Sequence, residues 1–131
     1  MYAQALRSGV YTIWKEDRFL YAGMAWAQRS DATPNASGVF GRLASHASGR
    51  RSGDQFCIYI CDRFVVPELS DDDIAALRRG ERLLDRMTRS FVHDHLTYRV
   101  VVTANGAEAR SLEATVRREG LRRAGRPQIN P

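Results

Sequence analysis

Two tyrosines stand beside glycines in short apolar segments, Gly9-Val10-Tyr11 and Tyr21-Ala22-Gly23, with nine residues between them. A free phenol has a pKa of about 10, so about one in a thousand is ionised at pH 7, and a tyrosine acting as a base needs help. Arg42 and His46 are four apart in Val39–Ser48, where Phe40, Leu43, Ala44 and Ala47 make an apolar stripe. Helical spacing therefore puts the arginine and the histidine side by side on the face turned away from the core. Glu113 lies about 40° beyond the edge of a stripe formed by Ala109, Leu112 and Val116. A carboxylate there could look along a sheet surface into a cleft, although Glu108 and Glu119 flank the same stripe on its other side and geometry does not choose among the three. His93, Asp94 and His95 have no cysteine or second ligand cluster nearby, which argues against a transition-metal set. No serine sits in a nucleophile-elbow context.

The elements that must position these side chains are legible in outline. Thr12–Leu20 is apolar at both ends and charged in the middle, which predicts a β-hairpin turning near Lys15 to Arg18. A three-residue loop would set Tyr11 opposite Tyr21 on one face of the sheet, a four-residue loop on opposite faces. A tyrosine pair in a hairpin also serves ordinary packing. Met24–Gly38 reads as a loop with a helical turn around Ala25–Ala27, and Gly49 stops the helix after it. After the basic turn Gly49–Asp54, Phe56–Val66 reads as a strand covered on both faces and ended by Pro67. In a strand, Cys57 and Cys61 would lie about 13 Å apart, too far for a disulfide. Ser70 and Asp73 predict a capping box, with Leu69 stapled to Ile74, for a helix reaching to about Phe91 through a weak point at Gly80. A strand at Leu96–Thr103, a turn at Asn105-Gly106 and a helix from Ala107 to Glu119 closed by Gly120 follow. The end, Leu121–Pro131, is basic and irregular.

With 131 residues the chain reads as one domain, 1–131, able to bury about two-thirds of its unfolded surface. Its net charge of +5 favours an anionic partner, nucleic acid foremost. Lys15 is the one lysine among twenty basic residues, an arginine bias that together with abundant alanine also fits a GC-rich genome. No apolar run approaches the roughly 20 residues of a membrane span, Met1–Arg7 lacks the apolar core of a signal peptide, and the two cysteines suit packed thiols. These features predict a cytoplasmic protein in a reducing compartment.

Taken together, these residues resemble the GIY-YIG nuclease family. Its paired motif is similar to Gly9-Val10-Tyr11 and Tyr21-Ala22-Gly23, its helical Arg and following His to Arg42 and His46, its late-helix Glu to Glu113, and its terminal Asn to Asn130. Val10 and Ala22 depart from the motif's usual residues, and nine residues between the tyrosines are slightly fewer than usual. The resemblance implies an α+β fold in β-β-α-β-α order, a small antiparallel sheet of three core strands flanked by helices, with Leu96–Thr103 as an added strand. It implies a metal-dependent endonuclease that hydrolyses DNA phosphodiester bonds. Glu113 would hold one Mg²⁺ (or Mn²⁺), Arg42 would donate to the phosphate, and Tyr11 with Tyr21 would orient or deprotonate the water. His46 would accept the proton, and Asn130 would hold Glu113 or a phosphate. Lys15, Arg50, Arg51, Arg122, Arg123 and Arg126 would contact flanking phosphates. The alternative implied by the same residues is a catalytically inactive nucleic-acid-binding module of the same fold.

Overall fold

The computed structural model describes residues 7–26 and 38–130. In chain order its elements are β1 (Gly9–Lys15), β2 (Arg18–Ala25), α1 (Gly38–Ala47), α2 (Gln55–Ile60), α3 (Asp71–Arg78), α4 (Leu84–His95), β3 (Leu96–Val102) and α5 (Gly106–Glu119). The α+β class is as expected. Two compact units are present, residues 1–44 with 97–131, and residues 45–96. Among the described residues no helix is long and apolar enough to cross a membrane. The expected features of Met1–Leu6, and most of the loop read into Met24–Gly38, lie outside the described residues.

The first unit is built on an antiparallel sheet of order β2-β1-β3, in which Gly9 at the start of β1 lies against the Val101 carbonyl near the end of β3. The sheet corrects two expectations. Among the described residues it has three strands rather than three plus one, because Leu96–Val102 is itself the third strand and Phe56–Val66 supplies none. The hairpin loop is neither three nor four residues long: Lys15 pairs with Arg18, leaving Glu16 and Asp17 as a two-residue turn. Glu16 has φ 57°, the positive value that mirror-image hairpin turns need at their first central residue. Trp14 pairs with Phe19 but Ile13 pairs with Tyr21, so Leu20 is an extra residue, a bulge in β2.

On one face of the hairpin, Trp14, Phe19 and Ala22 form a buried cluster against which Val116 of α5, Leu121 and Ala124 pack. The Trp14 and Phe19 rings stack at 5.0 Å, and the Arg99 guanidinium of β3 lies 4.5 Å from the Trp14 ring. The predicted helix near Ala107 starts one residue earlier, capped by the Asn105 side chain, and ends at Gly120 as expected. The last described residues, 121–130, form no helix or strand, as expected, yet they are tied to β2. Gln128 and Ile129 donate their backbone N–H groups to Phe19 and Leu20, and the Asn130 amide both donates to the Ala22 carbonyl and accepts from its N–H. One side-chain amide thus pairs with the β2 edge as a strand residue's peptide group would.

The second unit is helical where a strand was expected. Within Phe56–Val66 the buried positions are Phe56, Cys57, Ile60, Cys61 and Val65, a helical rather than a two-residue period. Asp54 caps the start of α2 by accepting from the Cys57 N–H, and the helix runs on through a π-helical turn (Cys61–Val65) and a 3₁₀ turn (Val66–Glu68). Consequently Cys57 and Cys61 are not 13 Å apart but about one helical turn from each other, and both are buried free thiols. The expected capping box at Ser70 and Asp73 forms, yet the expected long helix is two: α3 stops at Arg78, Gly80 takes φ 73°, and α4 restarts at Leu84. A left-handed glycine cannot continue a helix, which is why the weak point became a break. Phe64 and Phe91 stack at 5.3 Å, joining the π-helical turn to α4.

Candidate active site

The structure brings Tyr11 and Tyr21 together. Their ring centroids are 6.3 Å apart at an interplanar angle of 28°. The bulge at Leu20 is the cause. Without it the register set by the turn would carry on, Tyr21 would pair with Thr12, and alternation would place it on the reverse face from Tyr11. With it, Tyr21 pairs with Ile13, which shares a face with Tyr11. Gly23, directly opposite Tyr11, completes the arrangement, because a Cβ there would coincide with the Tyr11 hydroxyl. Tyr11 is buried and Tyr21 half-buried, so the pair has one enclosed and one more accessible member. Gly23→Ala is expected to displace the Tyr11 ring and lower stability by about 1–3 kcal/mol, read as a fall in the urea midpoint. An unchanged midpoint would mean that the ring does not lie over Gly23.

The three carboxylates of α5 are no longer equivalent. Glu108 accepts from the Ala104 N–H while donating its own backbone N–H to the Asn105 side chain, so it belongs to the helix cap. Glu119 is exposed, beside Arg118. Glu113 is the withdrawn one: its side chain is 14 % exposed and its Oε1 accepts from Arg117 Nη1 at 3.2 Å. Val116, three residues on, packs on the Trp14 face of the hairpin, and the tyrosine pair lies on the reverse face. A partly enclosed carboxylate suits a hard ion that keeps most of its own water, as Mg²⁺ does, but Glu113 is already paired with Arg117. Among the described residues there is no group of three or more His, Cys, Asp or Glu side chains that could hold a metal ion.

Arg42 and His46 are separated in environment, against the expectation that both face outward. Arg42 is exposed, whereas His46 is 1 % exposed, because the buried stripe of α1 is Val39, Leu43 and His46 rather than Phe40, Leu43, Ala44 and Ala47. What makes burial of an imidazole possible is Asp54. His46 Nδ1 is 2.8 Å from Asp54 Oδ2, Ser45 donates to the same oxygen at 2.8 Å, and the Phe56 ring lies tilted against the imidazole with centroids 4.6 Å apart. Burial pushes the Asp54 carboxyl up, but the hydrogen bond and charge of His46, with the Ser45 and Cys57 donors, outweigh it and hold the pKa at about 2. The Cys57 thiol, by burial first and then by the Asp54 charge, is pushed up to about 12, which leaves it an unreactive packing group.

Asp54 is the residue that sequence reasoning missed. Its signal is an aspartate immediately before an apolar run, but a run that also fits a strand's burial gives no reason to look for a helix cap. The remaining candidates scatter. Arg51 pairs with Asp85 at 2.6 Å, Arg50 is exposed, and Lys15 ends β1 at the hairpin turn. Arg122 and Arg123 sit exposed in a tight turn closed by paired hydrogen bonds between Leu121 and Gly125, followed by exposed Arg126. Asn130 holds the β2 edge rather than Glu113. His93 Nε2 is 3.1 Å from the Ala47 carbonyl oxygen and His95 lies against Phe91, both in the last turn of α4 rather than in a strand. Comparison of the chain with protein-family models, with curated proteins and with solved structures finds no match.

Proposed function

We propose that this chain is a metal-dependent endonuclease acting on DNA, of the GIY-YIG kind. The observation that carries the reading is the tyrosine pair, two phenols from the two glycine-flanked segments set 6.3 Å apart on one sheet face by a bulge. The order of elements supports it as well: a hairpin, a helix bearing Arg42, a third strand on β1, and a last helix bearing Glu113.

In this mechanism Tyr11 and Tyr21 orient the attacking water, and Tyr21, the more accessible of the two, passes the water's proton to solvent as the new P–O bond forms and the 3′ oxygen leaves, taking a proton from solvent. Arg42 donates in a fork to the non-bridging oxygens, where negative charge grows as the bond breaks. Glu113 would hold the ion, which when bound offsets charge at the phosphate and makes its water more acidic. His46 takes no part as a proton acceptor. Its Nδ1 is committed to Asp54 and it is enclosed, so its task is to hold the last turn of α1 in place.

The test is conversion of supercoiled plasmid to nicked and linear forms by the purified chain in Mg²⁺ or Mn²⁺, with and without chelator. Chelator-sensitive nicking that Tyr11→Phe and Tyr21→Phe each reduce is the expected result. A second reading, a nucleic-acid-binding module without catalysis, is favoured by one observation: Glu113 pairs with Arg117 on a helix whose Val116 packs on the hairpin face opposite to the tyrosines. Retained DNA binding with no nicking under either ion would select it.

A further inference from the structure

The net charge is unevenly shared. Residues 1–44 with 97–131 contain twelve basic and six acidic residues, residues 45–96 eight and nine, so the whole excess belongs to the sheet unit. Within that unit the described arginines are concentrated in one stretch. Taking the buried Ala109 as origin, Arg110 and Arg117 lie at about 100° and 80° round α5 and Arg118 at about 180°. Ala114, at about 140°, is exposed between them and offers no bulk that would keep a flat partner away. Glu113 and Glu119 fall outside this arc. Beyond the helix, Arg122 and Arg123 project from a turn fixed on both sides: the Leu121 and Gly125 backbones bond to each other, and Leu121 and Ala124 pack on the Trp14 cluster.

From this arrangement we infer that the outer face of α5 and the Arg122-Arg123 turn form a surface that tracks the phosphodiester backbone of duplex DNA. The inference rests on the nuclease reading for its partner, but not on the chemistry. Three features select a polyphosphate strand. The cations are spaced along one face, since the exposed Arg110 and Arg118 are about 12 Å apart along the helix axis. Two of them sit on a turn anchored to the core, so little order is lost on binding. The face between them is polar or small, Arg, Ser and Ala, without the Trp, Phe or Leu side chains that an interfacial membrane helix inserts. Phosphate contacts of this type position a duplex without reading its sequence.

The test is binding of a short labelled DNA duplex, without metal, at about 50–200 mM salt. Removing one arginine that neutralises a phosphate lowers the slope of log affinity against log salt by about one. Arg110→Ala/Arg118→Ala/Arg123→Ala is expected to lower it by about two to three units, and Arg78→Ala/Arg79→Ala/Arg86→Ala, on the other unit, to leave it unchanged. Both sets are exposed or half-buried positions, and circular dichroism checks that each variant is folded. Equal slopes for wild type and the first variant overturn this surface while the nuclease reading stands. Failure of the wild type to bind duplex DNA even at the lowest salt overturns both. Binding of the wild type to anionic vesicles of phosphatidylserine with none to duplex overturns the choice of partner.

Discussion

Glu113→Gln is expected to abolish nicking of supercoiled plasmid in Mg²⁺, a fall of about 10³-fold or more, and to leave folding intact. The substitution keeps the size of the side chain and removes the charge that a hard cation requires. Its structural cost is small because the ion pair it breaks, with Arg117, is an i,i+4 helix pair worth about 0.3–0.5 kcal/mol. DNA affinity is retained or rises, since a negative charge facing phosphate is gone. Glu119→Gln, at an exposed site, is the clean control and keeps the wild-type rate. Glu108→Gln tests something else, the cap at Asn105, and shows in thermal stability rather than in rate. Should Glu113→Gln nick at the wild-type rate while one of the other two does not, that other carboxylate holds the ion. If all three and the wild type are inert under both ions, the binding-module reading replaces the nuclease.

The second large effect is on stability. Asp54→Ala removes at once the cap of α2 and the acceptor for His46 and Ser45, leaving an enclosed imidazole without its carboxylate. Breaking a buried pair from one side costs about 3–5 kcal/mol, a large part of the roughly 5–15 kcal/mol that holds most domains together. The effect depends on pH with a defined sign. The carboxyl is held at about 2 in the folded chain against an ordinary 3.8, so the unfolded state binds the proton first. Its contribution, about 2 kcal/mol of the total, is complete above about pH 4 to 5 and is lost as pH falls through about 2. Urea midpoints of wild type and Asp54→Ala therefore lie far apart at pH 7 and converge in acid. His46→Ala separates two roles for the histidine: a loss of stability with the residual folded enzyme still active fits a positioning residue, whereas full stability with a rate reduced about 10²- to 10⁴-fold would make it the proton acceptor.

Local chemistry was the legible part of this fold. Ser70 and Asp73 named a helix start, Asn105 and Gly120 bracketed α5, and the charged centre of Thr12–Leu20 named a hairpin, because each signal acts within a few residues. Phe56–Val66 was not legible because a short apolar run fits a buried strand and a buried helix equally well. The tyrosine register was hidden for another reason. It depended on a turn one residue shorter than the shorter expected loop and on an extra residue at Leu20 that no residue type announces. His46 was expected outside because the apolar stripe was set on Phe40, Leu43, Ala44 and Ala47, and the carboxylate that accompanies its burial, Asp54, lies eight positions later.

The bulge at Leu20 has a bearing on how such hairpins vary. Which face a side chain takes depends only on whether the residues counted across the turn are odd or even, and a bulge alters that parity just as a longer loop does. A three-residue loop with regular strands and a two-residue loop with one bulge are therefore interchangeable in keeping two tyrosines on one side. The separation of the tyrosines along the chain is then free to drift in steps of two, an insertion in the turn matched by a second insertion in the strand, whereas a single uncompensated indel turns one phenol to the far side. A single-residue deletion at Leu20 is the smallest such indel, and an alignment that scores the spacing of the two segments without regard to parity would rank it as the mildest of changes.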